Sequence, residues 1–556
     1  MENLITFIRS GNSGEALSGR PNSTHQGGVA SLTGPKSSLS ISSSGFKKYS
    51  KTLIILAAAV LTSVSLIYVS FVPIVPAIAL LLFLEIKLSS GKESFRTGLL
   101  YGTVSSLILN YWMIAVVTNY AKGSVLLALL CYFGSSLILG LFFGLQFYLS
   151  VMLTSAEAGR LSQLINALTT AAVWVGFEIL RSSLFSALPW LGFTVGVTYG
   201  RSLYLIQLAA FGQVFILSFM TVVIAYYLAS AFLLKRWVFA TVSAGLIAFQ
   251  LCLGYLLYNS VSAQTAGFYK DSFSVTLAMP GLNPSTVWDE GSANNLVSHL
   301  FALNQKAAAT KPDLIVWTET VVPWTYAPQD DFINELAQTT AKEKCFTLIG
   351  MNTAQHPSQG TIANSVYFLN PSGSSEARYD KQDLLGVVEK PLLTEEGGII
   401  LPFLSSYDLK MAAGANKGPI QMPWGKAGIM LCNESTNPFL AFGLVSEGAK
   451  YLINVGNDGW FSDCFITRQH FYNNRLRAVE NRKDLIVNNN MGFCGVIRAN
   501  GEIVSETDGK NAGTLTANIY PNNLAPVSSS IFKLFLAGIL LFPVFNLFKR
   551  LLNKSK

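Results

Sequence analysis

The feature that most constrains this sequence is a series of apolar runs, each long enough to cross a lipid bilayer as a helix. Seven lie before residue 262, at approximately 52–70, 72–88, 97–117, 124–152, 163–183, 203–233 and 238–259, and an eighth lies at 531–548. Crossing about 30 Å of hydrocarbon takes about 20 helical residues. The sequence therefore predicts a polytopic α-helical membrane domain with about eight spans.

The composition agrees with a membrane protein. Of the 556 residues, 51% are hydrophobic and 13% are charged, and the mean hydropathy is +0.41, whereas about 25% of the residues of a soluble domain are charged. The net charge of +8 comes without a dense basic patch interleaved with aromatic residues, so we expect no nucleic-acid binding. The six cysteines include no CxxC pair and there are four histidines, so we expect neither a disulfide scaffold nor a metal or cofactor site.

Changes in composition divide the chain into four stretches. Residues 1–46 are rich in Ser and Gly and poor in large apolar groups, which predicts a disordered polar tail. Residues 47–261 carry the first seven spans. Residues 262–529 alternate short strand-like apolar runs with polar segments of helical length, which predicts a soluble α/β domain. Residues 530–556 carry the last span and a basic end.

Basic residues flank the apolar runs and indicate the membrane topology. If the residues before the first span are cytoplasmic, crossing parity places every basic cluster on that same side, as the positive-inside rule requires. These clusters comprise Lys47, Lys48, Lys51, Lys87, Lys92, Arg96, Arg160, Lys235, Arg236, Lys549, Arg550, Lys554 and Lys556. The same parity places the α/β domain on the opposite face of the membrane.

Several polar or reactive residues have a structural interpretation. The segment 186–196 is too short to span and predicts an interfacial or re-entrant piece. Glu178 and Arg181 lie one helical step apart within the fifth span, where a structural salt bridge is the favoured interpretation. Cys131 and Cys252 are expected to serve helix packing, and His356 and His470 to be ordinary surface or core histidines. The sequence leaves open a disulfide among the three cysteines Cys345, Cys464 and Cys494.

Three chemically distinct side chains follow strand-like runs of the α/β stretch. Glu319 follows DLIVW, Lys381 follows SVYFLNPSGSSEARYD, and Cys432 follows KAGIML. Groups just past the carboxyl ends of strands can meet at one edge of a sheet. A carboxylate can take the proton of a thiol, and an ammonium can stabilise both the thiolate and the oxyanion of a tetrahedral intermediate. The three residues therefore predict nucleophilic catalysis by a cysteine.

The segments VWTET, YDKQDL and LCNES, in this order, resemble the Glu, Lys and Cys motifs of the nitrilase superfamily. The resemblance implies a four-layer αββα sandwich. It also implies Glu319 as general base, Lys381 as oxyanion stabiliser and Cys432 as the acyl-accepting nucleophile.

The arrangement of seven spans, a nitrilase-like domain and one more span is similar to the membrane-embedded branch of that superfamily, the apolipoprotein N-acyltransferases. This resemblance implies that Glu389 supports the lysine, that Glu434 assists near the nucleophile, and that Trp288, Trp460 and Asn433 support the site or bind substrate. Asn433 stands where an aromatic residue commonly follows the cysteine. The branch implies residence in the bacterial inner membrane, with the catalytic domain facing the periplasm.

The reaction implied by this resemblance passes an acyl chain from a membrane glycerophospholipid, through a thioester on Cys432, to the free α-amino group of a diacylglyceryl-cysteine on an apolipoprotein. The expected partners are the phospholipid donor, the diacylated apolipoprotein acceptor and the bilayer. Two alternatives remain open at the level of sequence. One is a membrane-tethered amidase or nitrilase that passes its acyl group to water, and the other is a non-catalytic scaffold that retains the fold.

Overall fold

The computed structural model describes residues 43–87, 90–119, 124–154, 159–289, 291–356, 361–386, 389, 410–416, 418–461, 464–526 and 529–554. Most of the polar tail predicted at 1–46 lies outside these residues. The first helix begins at Ser43, three residues before the predicted end of the tail.

Eight helices precede the α/β domain. They are α1 (Ser43–Tyr68), α2 (Phe71–Lys87), α3 (Gly91–Leu109), α4 (Trp112–Asn119), α5 (Val125–Leu153), α6 (Arg160–Leu184), α7 (Ala209–Leu234) and α8 (Val238–Thr265). Each predicted run in this part of the chain coincides with a helix, the third with the pair α3 and α4. The helices expose many large apolar side chains, among them Leu53, Leu126, Leu137 and Leu256, as a surface in contact with lipid does.

The number of spans differs from the predicted eight. Five helices of the described residues are long and apolar enough to cross a membrane, and α3 with α4, bent by 54°, makes a sixth if the pair is one span. Helix α2 has 17 residues, and the last apolar helix covers only Ile531–Leu547 in the described part. At 1.5 Å per residue, 17 residues reach about 26 Å. The chain turns between α1 and α2 at Val69, which has a positive φ of 49°.

The predicted interfacial segment is a pair of short 3₁₀ turns, Pro189–Leu191 and Val195–Tyr199. Two fully buried charged residues of α6 hold it. Glu178 accepts from the N–H of Val195 (2.9 Å), and Arg181 donates to the carbonyl of Phe193 (3.3 Å). These contacts agree with the structural role favoured for Glu178 and Arg181, although the two described side chains form no ion pair with each other within 4.0 Å. Irregular backbone at membrane depth needs such partners, and these two side chains supply them.

The described residues of the α/β domain form thirteen strands. They are β1 (Phe273–Met279), β2 (Leu314–Val316), β3 (Phe346–His356), β4 (Thr361–Leu369), β5 (Ser375–Asp380), β6 (Lys410–Met411), β7 (Ile420–Met422), β8 (Gly425–Leu431), β9 (Tyr451–Asn457), β10 (Leu485–Asn490), β11 (Cys494–Ile497), β12 (Ile503–Thr507) and β13 (Gly513–Ile519). One sheet has the order β13-β1-β2-β3-β4-β5, with β6 on β4, and the other has the order β12-β11-β10-β9-β8-β7. The central pairs β1–β2, β2–β3, β8–β9 and β9–β10 are parallel.

The two sheets pack face to face and helices cover their outer faces. Side chains such as Val275 and Val316 of the first sheet share one buried core with Ile429 and Ile453 of the second. Helices α9 (Ala293–Ala308) and α10 (Asp331–Glu343) pack on the outside of the first sheet, and α11 (Pro438–Ser446) and α12 (Phe465–Asn481) on the outside of the second. The predicted αββα sandwich is confirmed. Helix α13 (Ser529–Lys554) follows it.

Helix α12 also docks the sandwich on the membrane helices. Arg475 donates to the carbonyls of Gly200 (2.9 Å) and Arg201 (3.0 Å), and Arg482 donates to the side chain of Gln207 (2.7 Å). Residues 50–556 accordingly form one compact unit. The docking places the strand ends of the sandwich against the membrane helices.

Candidate active site

The three chemically distinct side chains predicted from the sequence lie around one cavity. Glu319 follows β2 by two intervening residues, Lys381 directly follows β5, and Cys432 directly follows β8. The first two therefore come from one sheet and the third from the other. All three line a cavity of about 520 Å³ that lies between the sandwich and the membrane helices.

Lys381 lies between two carboxylates. Its Nζ is 2.8 Å from Oε1 of Glu389 and 3.4 Å from Oε1 of Glu319, and all three side chains are buried. Burial opposes the charged ammonium, but Glu389 and then Glu319 outweigh it and hold the pKa of Lys381 well above its ordinary value. Lys381 is therefore a fixed positive charge at the edge of the cavity.

Asn364, from the middle of β4, completes this cluster. Its Nδ2 donates to Oε1 of Glu319 (2.7 Å) and to Oε1 of Glu389 (3.3 Å). Glu389 also accepts from the N–H of Leu385 (2.7 Å). The amide therefore fixes the carboxylate oxygens that face the ammonium. The sequence analysis missed Asn364, although a lone amide within the apolar strand TIANSVYFL is a signal for a buried polar contact.

Cys432 has an uncommon backbone conformation. Its φ is +51°, in the left-handed region that residues other than glycine seldom adopt, and Thr320, directly after Glu319, has a φ of +46°. Such strain is concentrated at functional sites. Cys432 is partly exposed to the cavity, which is what a nucleophile needs.

The thiol of Cys432 requires a base. Burial raises its pKa well above the ordinary value, the charge of Glu319 raises it further, and Lys381 acts in the opposite direction. The sulfur is therefore protonated at neutral pH. A carboxylate that takes the proton during attack would remove this obstacle, and Glu319 lines the same cavity as Cys432.

Glu434 joins the segment that follows Lys381 to the turn that carries Cys432. Its carboxylate accepts from the N–H groups of Leu431 (2.7 Å), Gln382 (2.7 Å) and Asp383 (3.1 Å), and from the hydroxyl of Tyr379 (3.0 Å). Burial raises its pKa to about 7, and the backbone donors act in the opposite direction. Glu434 does not line the cavity. It fixes the position of the segment that follows Lys381 relative to Cys432.

The other predicted supporting residues lie at the rim of the same cavity. Asn433 donates from Nδ2 to the carbonyl of Asp383 (3.0 Å), a second tie between the two loops. Trp288 and Trp460 are both half-buried and line the cavity, and Trp288 stacks edge to face on Trp324 with ring centroids 5.8 Å apart. The structure thus brings together Glu319, Lys381, Cys432, Glu389, Asn433, Trp288 and Trp460 around one volume.

The far wall of the cavity is apolar and belongs to the membrane helices. It includes Leu109 of α3, Met113, Val116 and Val117 of α4, and Leu139 and Phe143 of α5. The bend between α3 and α4 at Asn110 opens this wall. A single cavity therefore presents charged groups on one side and a hydrocarbon-like surface on the other.

The structure shows the state of the cysteines and the arrangement of possible metal ligands. All six cysteines are free thiols, so the disulfide left open among Cys345, Cys464 and Cys494 is absent. In the described ranges, no group of three or more His, Cys, Asp or Glu side chains is arranged to hold a metal ion.

Comparisons with known proteins cover both parts of the chain. Residues 276–528 match the family model described as carbon-nitrogen hydrolase, and residues 57–227 match the apolipoprotein N-acyltransferase N-terminal domain. The chain is 26% identical over 451 residues to an apolipoprotein N-acyltransferase of Geobacter metallireducens, covering 78% of this chain and 82% of the relative. It is 26% identical over 484 residues to that of Pseudomonas aeruginosa, with 84% and 90% covered. A solved carbon-nitrogen hydrolase of Helicobacter pylori, 18% identical, covers 45% of this chain and 89% of its own with a TM-score of 0.34.

Proposed function

We propose a residue-level mechanism from the premise that this chain is an apolipoprotein N-acyltransferase of the nitrilase superfamily. It is an acyltransferase of the membrane that catalyses lipoprotein N-acylation. The observation that carries the mechanism is the position of Lys381 between Glu319 and Glu389, at the edge of a cavity that Cys432 shares with the membrane helices.

In the first half-reaction, the carboxylate of Glu319 takes the proton of the Cys432 thiol as sulfur attacks an acyl ester of a membrane glycerophospholipid. The oxyanion is stabilised by the ammonium of Lys381 and by a backbone N–H. The carbon–oxygen bond breaks, Glu319 returns the proton to the leaving alkoxide, and a lysophospholipid departs. Cys432 remains as a thioester. Glu389 holds Lys381 charged and in place, and Glu434 and Asn433 keep the two loops in register.

In the second half-reaction, the α-amino group of a diacylglyceryl-cysteine at the N-terminus of an apolipoprotein attacks the thioester carbon. An amide forms, the carbon–sulfur bond breaks and the thiol is regenerated. The donor and the acceptor use the same oxyanion site in turn, with Trp288 and Trp460 at the rim where the lipids enter.

The apolar wall of α3, α4 and α5 explains why the sandwich is attached to the membrane. Both substrates carry long acyl chains, and each CH₂ exposed to water costs about 0.8 kcal/mol. Moving half of a long acyl chain into water would cost several kcal/mol, whereas an apolar wall next to Cys432 keeps it covered. We place the site at the periplasmic face of the bacterial inner membrane, on the basis of the distribution of basic residues.

No observation favours the amidase alternative. A half-reaction experiment separates all three hypotheses. Purified protein in detergent is incubated with a phospholipid labelled in its acyl chains, and intact mass and peptide mapping are measured before and after addition of a diacylated lipopeptide. We expect an acyl adduct on Cys432 that is lost as triacylated lipopeptide forms. Free fatty acid without lipopeptide product would support the hydrolase, and absence of any adduct would support the scaffold.

A further inference from the structure

A carboxylate–histidine pair that the mechanism above does not use lies beside the nucleophile. Nδ1 of His470, in the second turn of α12, is 2.7 Å from Oδ1 of Asp458, and both side chains are at least nine-tenths buried. Asp458 directly follows β9, the parallel neighbour of the strand that ends at Cys432. The sequence analysis interpreted His470 as an ordinary histidine, and only the fold reveals its partner.

The strand that leads to Asp458 runs next to the backbone of Cys432. A Cβ built on Gly456, two residues before Asp458, would lie 3.3 Å from Cα of Cys432, and the charge of Asp458 contributes to the raised pKa of the Cys432 thiol. The ring of His470 lines the same cavity as Cys432 and stacks edge to face on Phe461, with centroids 5.4 Å apart.

The second ring nitrogen of His470 has no assigned hydrogen bond. Nδ1 is engaged by Asp458, and within the part of the chain that the structure describes no partner is found for Nε2. A carboxylate that accepts from Nδ1–H orients the ring and leaves the lone pair on Nε2, which can accept a proton. The arrangement is therefore that of a base with a fixed direction, distinct from the Glu319 carboxylate.

The proposed second half-reaction needs such a base. An α-amino group has an ordinary pKa of about 7.7 to 8.0, so most of it arrives as ammonium at neutral pH and has no lone pair for attack. Glu319 takes up and releases one proton in each half-reaction. This accounts for every proton transferred in the first half-reaction. The second half-reaction must also dispose of the additional ammonium proton, and no residue assigned so far receives it.

We infer that His470, oriented by Asp458, accepts this proton and is a catalytic residue of the amine-acylation step. The inference rests on the proposed function. Nε2 takes one proton from R–NH₃⁺, and the lone pair of R–NH₂ forms the carbon–nitrogen bond at the thioester carbon. Glu319 takes the second proton from nitrogen and transfers it to sulfur as the carbon–sulfur bond breaks. The products are the amide, the Cys432 thiol and a proton that His470 releases to water.

The pH dependence of this step is set by several neighbouring groups. The charged or titratable side chains that line the cavity with His470, besides Cys432 and Cys131, are Glu319, Lys381, Glu389 and Arg477. Asp458 is in direct contact with the ring. The substrate ammonium is the group whose titration the experiment follows, and substitutions at His470 leave the other groups in place.

The test uses His470→Asn in the full-length protein, because Nδ2 of asparagine takes the place of Nδ1 and keeps the hydrogen bond to Asp458. The matched control is His299→Asn, since His299 is an exposed histidine of the same domain. The two half-reactions are measured separately: thioester formation from labelled phospholipid, and transfer from the preformed thioester to a diacylated lipopeptide at pH values from about 6 to about 9.5.

We expect His470→Asn to form the thioester at close to the wild-type rate and to transfer it about 6- to 11-fold more slowly at about pH 7, because only about one-sixth to one-eleventh of the α-amino group is unprotonated there. The transfer rate should rise with pH as free amine accumulates, approaching wild type above about pH 9. Asp458→Asn should show a smaller defect of the same pH dependence, because it acts by positioning the ring. His299→Asn should match wild type in both half-reactions.

Two results would overturn the inference. One is a defect in transfer that is independent of pH, which indicates a structural role. The other is a wild-type transfer rate in His470→Asn. Failure of the wild-type protein to form the thioester would instead count against the proposed function. Failure of the inference and failure of the proposed function are therefore distinguishable.

Discussion

Two of the buried charged clusters among the described residues differ in construction. In the catalytic cluster, Lys381 contacts Glu319 and Glu389 directly at 3.4 and 2.8 Å. In the membrane cluster, Glu178 and Arg181 of α6 are equally buried but contact backbone groups of the 193–195 segment rather than each other. Arg181 also lies over the ring of Phe143, 4.7 Å from its centroid.

This difference distinguishes a cluster with a proposed chemical role from a cluster with a structural role. The catalytic cluster borders a cavity, and in the proposed mechanism its paired charges influence the protonation of a thiol and stabilise an oxyanion. The membrane cluster supplies hydrogen-bond partners to irregular backbone, a role in which direction matters more than charge. Replacements that remove charge but keep shape should therefore affect the two clusters very differently.

The largest expected effect is that of Cys432→Ala. It should abolish the thioester and reduce acyl transfer at least about 10⁴-fold while the protein stays folded, because the methyl group offers no nucleophile. Intact mass after incubation with phospholipid and thermal unfolding in detergent are the measurements. Cys252→Ala, at an exposed cysteine of α8, is the control and should keep full activity. An acyl adduct on the Cys432→Ala protein would contradict the assignment.

A smaller but still large effect is expected for Lys381→Met. Removing the oxyanion's charged partner should slow thioester formation by about 10²- to 10³-fold. Because two carboxylates then face each other without a cation, the protein should also lose about 3–5 kcal/mol of unfolding free energy. Rates are therefore normalised to the folded fraction. The control is Lys426→Met, an exposed lysine whose Nζ donates to the carbonyl of Glu447, which should show neither change.

A third prediction concerns the ionisation of Cys432, followed as its rate of alkylation by iodoacetamide against pH. Glu319 raises the pKa of this thiol and Lys381 lowers it. Glu319→Gln should therefore shift the alkylation profile to lower pH and Lys381→Met should shift it to higher pH. Both variants should be poor catalysts. Shifts of the same sign in the two variants would show that the three groups do not interact as assigned.

The smallest effect is expected for Glu178→Gln in the membrane cluster. Oε1 of Glu178 accepts from the N–H of Val195 and from Nε1 of Trp174 (3.0 Å), and the amide oxygen of glutamine can accept both bonds. Activity should stay within about twofold, and the unfolding free energy should change by about 1 kcal/mol or less. Loss of activity comparable to that of Glu319→Gln would mean that the charge of Glu178 takes part in function, and the distinction between the clusters would fail.

Hydropathy predicted the helices but not where they break. The run at 97–117 predicts one continuous span, yet it is two helices, α3 and α4, bent by 54°. Helix α7 likewise has non-helical backbone at Gly212 and Gln213. These breaks depend on packing against neighbouring helices and on partners for the freed backbone groups, which a window of local hydropathy does not contain.

The site residues likewise divide into those that sequence motifs identify and those whose contacts only the fold shows. The strand-end positions of Glu319, Lys381 and Cys432 could be recognised from motifs. Asn364 and the Asp458–His470 pair could not, because an amide within a strand or a lone histidine has many ordinary interpretations. Glu178 and Arg181 had the right spacing for a salt bridge, but the nearby backbone of Phe193 and Val195 competes for both side chains.

The sequence by itself determined that the chain is a helical membrane domain joined to an αββα sandwich, and that a carboxylate, an ammonium and a thiol follow strands in that order. Apolar run length, strand alternation and motif order are local properties, so the linear chain carries them. Tertiary structure alone decided that Lys381 contacts a carboxylate 62 residues away as well as one eight residues away, and that Cys432 opens on an apolar wall of α3, α4 and α5. Those contacts depend on the order of strands in two sheets and on the docking of α12, which are set by the packing of the whole molecule.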